Sequence, residues 1–200
     1  MQSVFIQVIG TVQGVGFRPF VYNLALKYDI KGWVNNDEKG VNILLSSSEE
    51  NIQNFINELK LNPPILARID SINIEKITEI KEYKTFEIIQ SESSKNKSTI
   101  ISPDIAICDD CIEDINDMSN FRYSYSLTNC TNCGPRYSII KTIPYDRINT
   151  SMFSFELCEK CKNEYENPTN RRYHAQPIAC EKCGPNVVLY KNKNEVLSSD

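Results

Sequence analysis

The sequence predicts an α+β fold: a βαββαβ unit followed by two tandem four-cysteine metal modules. Three observations carry that expectation. Apolar spacing over the first ninety residues alternates between strand and helix periods in that order. All eight cysteines of the 200-residue chain lie beyond residue 107, as four Cys-x-x-Cys pairs. The cysteine-bearing stretch then repeats itself with an offset of 50 residues.

Residues 3–9, Ser-Val-Phe-Ile-Gln-Val-Ile, read as a buried strand. A glycine-containing loop runs from Gly10 to Arg18, and Pro19 suits the first turn of a helix whose face is Val21, Leu24, Ala25 and Tyr28. Gly32 ends that helix. Trp33–Asn36 and Val41–Leu45 read as two strands joined by a polar turn closing at Gly40. Ser47 and Glu50 fit a capping box for a second helix with Ile52, Phe55, Ile56 and Leu59 on one face, and Pro63-Pro64 stops it. Strands around Ala67–Ile74 and Thr85–Ile89 complete the order, which is the split-βαβ, ferredoxin-like arrangement of an antiparallel sheet with two helices on one face. The expected boundaries are 1–90 for this unit, a polar linker at 91–99, metal modules at 100–149 and 150–190, and a tail at 191–200. A short strand is expected at 186–191.

Cys108, Cys111, Cys130 and Cys133 form one C-x2-C-x18-C-x2-C set, and Cys158, Cys161, Cys180 and Cys183 form the second. A two-residue spacer turns both thiolates of a pair onto one ion, and two pairs complete a tetrahedron, so two zinc ions are expected. Pairing within each repeat is the reading adopted, although interleaved pairing is equal on spacing alone. Four thiolates leave no open coordination position, which makes the zincs structural. Gly134 and Gly184 suit a left-handed turn after each second pair. Disulfides are disfavoured, because Cys-x-x-Cys strains the bond and no secretory leader precedes the strand-like run after Met1. The repeat extends to Arg122-Tyr123 and Arg172-Tyr173. His174, the only histidine, reads as structural because the cysteines already complete both sites. Phe121, Tyr123 and Tyr125 read as packing within a small module.

The formal charge is −4, and two four-thiolate sites each holding a dication bring it to about −8. Between Thr99 and Tyr190, 12 acidic residues outnumber 9 basic ones, which disfavours nucleic-acid binding, with Arg171-Arg172 the one local exception. No apolar stretch approaches membrane-spanning length, so a protein of the reducing cytoplasm is expected.

The loop Gly10-Thr-Val-Gln-Gly-Val-Gly-Phe-Arg18 joins a strand to a helix N-terminus, where backbone N–H groups and the helix dipole favour an anion. Gly14 and Gly16 let the backbone wrap closely, and Arg18 adds a fork suited to two phosphate oxygens. Asn36, at the end of the adjacent strand, is placed to hold a water in line with a phosphorus atom on that loop. These residues, with Gly32-Trp33-Val34-x-Asn36 and Gly40-Val41, closely resemble the acylphosphatase family. The resemblance implies a phosphate cradle of Gln13, Gly14, Val15, Gly16, Phe17 and Arg18, with Arg18 and Asn36 catalytic. Because Asn35 precedes Asn36, that assignment rests on motif register. Pro19-Phe20, the paired cysteine modules, Cys-Gly-Pro-Arg at 133–136 and Arg-Tyr-His-Ala-Gln-Pro at 172–177 are similar to the N-terminal part of the HypF family. Its members are carbamoyltransferases of nickel–iron hydrogenase maturation. The resemblance implies hydrolysis of carbamoyl phosphate, adenylation of the carbamate by a YrdC-like domain that would begin near residues 191–200, and transfer to the protein HypE. Two other readings compete: a general acylphosphatase with structural zinc modules, and a zinc-ribbon docking module without catalysis.

Overall fold

The computed structural model describes residues 2–77, 83–90, 103–193 and 195–199; the expected linker at 91–99 lies outside the described residues. The chain begins with β1 (Gln2–Thr11), α1 (Phe17–Lys27), β2 (Lys31–Asn36), β3 (Gly40–Ser47), α2 (Glu49–Leu61) and β4 (Arg68–Ile77). Along β1 the burial alternates, and Val4, Ile6 and Val8 turn into the core. Val21, Leu24 and Ala25 of α1 and Ile52, Phe55, Ile56 and Leu59 of α2 meet them there. Fully burying each such side chain is worth roughly 1.5–3 kcal/mol.

The sheet order is β4-β1-β3-β2-β5, and the β1–β3, β1–β4 and β2–β3 pairs are antiparallel as expected. β4 alone completes the βαββαβ unit. The last segment, β5 (Phe86–Ile88), instead adds a fifth strand parallel to β2, so the sheet is mixed and not purely antiparallel. Because β4 sits at one edge and β5 at the other, no hairpin joins them and nothing forces antiparallel pairing.

Two helix starts differ from expectation. α1 begins at Phe17 with Gly16 as its cap, so Pro19 falls third in the helix. An N–H there has no intrahelical acceptor, so the proline costs no hydrogen bond. The cap of α2 is Ser48, whose hydroxyl accepts from the Asn51 N–H at 3.2 Å, while Ser47 closes β3.

Beyond residue 103 regular structure is sparse. α3 (Asp109–Asn116) and α4 (Glu159–Glu166) each start directly after the first cysteine of a set, which brings the second cysteine one turn in and onto the same side. β6 (Val188–Asn192) pairs with β7 (Glu195–Ser199) as a hairpin where one short strand was expected. No helix among the described residues is long and apolar enough to cross a membrane.

Candidate active site

Gly14 and Gly16 hold φ of 74° and 76°, the left-handed region that side chains resist, and Gly16 caps the start of α1 in that conformation. Arg18 is the second residue of that helix and is largely buried. The first-turn N–H groups of α1 have no intrahelical acceptor and make its N-terminus a site for an anion. A cavity of about 20 Å³ lies there, lined by Gly14, Gly16, Phe17, Arg18 and Asn36 from the α+β unit. The opposite wall comes from the cysteine-rich half: Thr131, Tyr145, His174 and Gln176.

Asn36, not Asn35, reaches this cavity. It is 1% exposed, and neither its amide nitrogen nor its amide oxygen has a hydrogen-bond partner. A buried polar group left so costs about 1–3 kcal/mol unless water or a ligand meets it. Of the loop residues expected to cradle phosphate, Gly14, Gly16, Phe17 and Arg18 line the cavity, whereas Gln13 and Val15 do not. The Gln13 side chain is committed elsewhere: its amide donates to Asp37 O at 2.6 Å and Gly40 O at 2.9 Å, and its oxygen accepts from Tyr145 N–H at 3.0 Å.

The far wall was not legible beforehand. Tyr145 packs so closely that a Cβ on Gly14 would stand 2.8 Å from its ring. Burial pushes the Tyr145 phenol up to about 12. Asp146 forms an ion pair with Arg18 Nη2 at 2.7 Å. No motif marks either residue in the sequence. His174 does carry a signal, as the only histidine, although with both sites completed by cysteine it reads as structural. It lines the cavity with φ of 52°. Its pKa is lowered to about 4, chiefly by burial and then by the Arg18 charge, so the imidazole is neutral near pH 7.

The cysteines gather as Cys108, Cys111, Cys130, Cys133 and as Cys158, Cys161, Cys180, Cys183, all sulfurs of a set lying within 4.8 Å of one another. The pairing is therefore within each repeat, and no disulfide forms among them. Sulfurs of one tetrahedral ion with bonds of about 2.3 Å stand about 3.8 Å apart. Cys108–Cys130 at 3.6 Å, Cys111–Cys133 at 3.7 Å and Cys158–Cys180 at 3.7 Å fit that edge, so the donor sets suit two metal ions. Gly134 takes the expected left-handed turn with φ of 72°. Gly184 does not: it is required instead by close approach, since a Cβ there would meet the Tyr125 hydroxyl at 2.2 Å.

The two sets are cross-braced. Arg122 donates to Ala179 O at 2.9 Å, to Cys161 Sγ at 3.2 Å and to Glu164. Arg172, fifty residues on, donates to Asn129 O at 2.9 Å, to Cys111 Sγ at 3.7 Å and to Asp114. These three partners of each arginine are repeat-equivalents of the other's, so the modules are related by an approximate two-fold axis; Arg172 adds a contact of its own, to Glu164 at 3.5 Å. Arg171 also pairs with Asp114, so Arg171-Arg172 is not an open basic patch.

Residues 4–88 match the acylphosphatase family, and residues 107–140 and 157–190 each match the HypF finger. The chain is 50% identical over 148 residues to the probable carbamoyltransferase HypF of Methanocaldococcus jannaschii, covering 74% of this chain and 19% of that protein. It is 40% identical over 155 residues to the carbamoyltransferase HypF of Synechocystis, covering 78% of this chain and 20% of that protein. An acylphosphatase of Listeria monocytogenes is 41% identical over 88 residues, which are 44% of this chain and 95% of that protein. A crystal structure of full-length HypF in a phosphate- and nucleotide-bound form superposes with a TM-score of 0.90 at 47% identity, covering 97% of this chain and 26% of that one. The chain thus spans about a fifth of the length of the curated carbamoyltransferases it matches. With an acylphosphatase domain closed over by a tandem pair of HypF fingers, it belongs to the HypF family, of which it represents the N-terminal part.

Proposed function

We propose that this chain hydrolyses carbamoyl phosphate, and that Arg18 and Asn36 are its catalytic residues. The observation that carries the reading is Asn36: a buried amide with both polar atoms unmatched, in one cavity with Arg18 and the N-terminus of α1. The phosphoryl group binds to the first-turn N–H groups and to Arg18, and the Asn36 amide orients a water towards phosphorus. Water attacks, the bond from phosphorus to the carbamate oxygen breaks, and the proton passes to a phosphoryl oxygen, giving carbamate and inorganic phosphate. Carbamate is a good leaving group, so the step asks for positioning and charge stabilisation and not for a strong base.

The two cysteine clusters hold zinc in this reading, in a structural role. Cys108, Cys111, Cys130 and Cys133 are the ligands of one ion, and Cys158, Cys161, Cys180 and Cys183 those of the other. The carbamate is the precursor of a carbamoyl group passed on to HypE in nickel–iron hydrogenase maturation, in the cytoplasm, by steps that lie outside this chain. Phosphate release from carbamoyl phosphate by the wild type and by Arg18→Ala tests the proposal. The mutant is expected to lose about a hundredfold to a thousandfold in kcat. Equal turnover by the two proteins would overturn it, and faster turnover of acetyl phosphate would favour a general acylphosphatase.

A further inference from the structure

Three consecutive residues between the two fingers clamp the acylphosphatase site to the cysteine-rich half. The Tyr145 N–H donates to Gln13 Oε1 at 3.0 Å, and Gln13 in turn ties the loop to the β2–β3 turn through Asp37 and Gly40. The Asp146 carboxylate meets Arg18 Nη2 at 2.7 Å, and the Tyr145 carbonyl accepts from the same nitrogen at 3.4 Å. Arg147 anchors the clamp from behind: its N–H donates to Gln176 Oε1 at 2.7 Å, and its guanidinium donates to the Gln176, Ile178 and Phe155 carbonyls. One short segment therefore touches the phosphate loop, its arginine and the second finger in order.

Where Asp146 stands relative to the cavity decides what it does. Arg18, with His174 and Gln176, borders both the small cavity on the phosphate loop and a wider pocket of about 450 Å³. Asp146 lines only the wider pocket. Asp146 holds Nη2 of Arg18 and is absent from the lining of the small cavity, so the carboxylate steadies the arginine without occupying the anion's place there. Asp146 is mostly shielded, with 19% of its side chain exposed against 9% for Arg18, so the pair is weakly screened by solvent. A long, flexible side chain held in this way loses its alternative rotamers before substrate arrives.

We propose that Asp146 is a positioning residue for Arg18, so that the acylphosphatase site reaches its working geometry only when the finger pair is docked on it. This rests on the reading of Arg18 as the catalytic arginine. It assigns a part in the reaction to a residue outside the acylphosphatase domain. It also gives the fingers a use beyond bracing the fold.

The test compares phosphate release from carbamoyl phosphate by the complete, metal-loaded protein with that of Arg18→Ala, Asp146→Ala, Asp146→Asn and Asp146→Glu. Zinc content and thermal midpoint are recorded for each. Asp146→Ala is expected to lose about tenfold to a hundredfold in kcat, the scale for misplacing a catalytic group, with KM changed far less and zinc content unchanged. Asp146→Glu should recover part of the loss, and added formate should restore part of it to Asp146→Ala. Should the alanine variant fold poorly, the isosteric Asp146→Asn carries the comparison. Wild-type kcat in these variants would overturn the proposal, as would a loss that tracks the folded fraction and responds to neither glutamate nor formate. A lower KM at undiminished kcat would do so too, because Asp146 would then be a competitor for Arg18. An inert Arg18→Ala beside an active Asp146→Ala rejects this inference and leaves the functional reading standing. Wild-type turnover in Arg18→Ala rejects both.

Discussion

Ile6, Ile43, Leu45 and Phe55 lie wholly shielded among other carbon side chains of the acylphosphatase domain, whereas the largest fully buried side chain of the finger pair is that of Arg122. The contrast reaches the whole of each region. One is a sheet and two helices condensed on a single apolar cluster. The other has two cysteine-centred clusters, two eight-residue helices and a pair of guanidinium groups running between them. A metal bound to four thiolates keeps a net charge of about −2, and each cluster here receives an arginine from the other finger. The fingers therefore depend on each other as well as on metal, while the first domain depends on neither for its core.

The largest effect that follows is on metal removal. Binding of a structural zinc is worth about 10–16 kcal/mol of apparent folding free energy in isolated finger peptides. Chelation should therefore collapse residues 103–190 and leave the sheet of residues 2–77 intact, read by backbone NMR as a loss of dispersion confined to the finger resonances. Collapse of both regions together would break the comparison. A smaller effect separates the two fingers. Arg122→Ala leaves Glu164 with only the more distant Arg172, 3.5 Å away, and Arg172→Ala leaves Asp114 with only Arg171, so each variant loses charge-assisted hydrogen bonds worth about 1.5–3 kcal/mol without leaving a bare buried charge. Because the contacts are reciprocal, Arg122→Ala should weaken metal retention at Cys158–Cys183, and Arg172→Ala at Cys108–Cys133. Metal-release kinetics on the two variants would check this, and a loss confined to the arginine's own finger would refute the cross-bracing.

How much of this could be read beforehand followed the same division. Spacing in the first ninety residues was enough for the element order, because β1 and α2 each turn a single apolar face to one core. It placed a strand at Thr85–Ile89 but gave no warning that β5 pairs parallel to β2, through contacts that no local period encodes. The cysteine spacing was enough for the two clusters, since a thiolate tetrahedron is demanding about both number and reach. It could not reveal that Arg122 and Arg172 exchange partners, because the relation joins residues some forty to sixty apart. The loop motif led to Arg18 and Asn36, which do share a cavity. The places of Tyr145 and His174 in its wall, and of Asp146 on Arg18, escaped, because those contacts exist only once two separately patterned regions dock.

His174 offers the finest test of where those regions meet. It belongs to the second finger by sequence, yet its ring lines the cavity of the first domain. It lies close to Tyr165 and Tyr173, with ring centroids 5.0 Å and 4.6 Å away. Burial and the Arg18 charge both oppose a proton there, which takes the folded-state pKa to about 4 from an ordinary value of 6.5. Between those values the unfolded chain binds the proton more readily than the folded one, so stability from this group is complete above about pH 6.5 and falls as pH drops towards about 4. From pH 7 to pH 6 the loss amounts to roughly 0.7 kcal/mol, the smallest of these effects. As the only histidine in the chain, its imidazole C–H signals can be followed without assignment. They should stay in the neutral position down to pH 5 in the docked protein. Titration near pH 6.5 would mean that the ring faces water and that the second finger does not close the site.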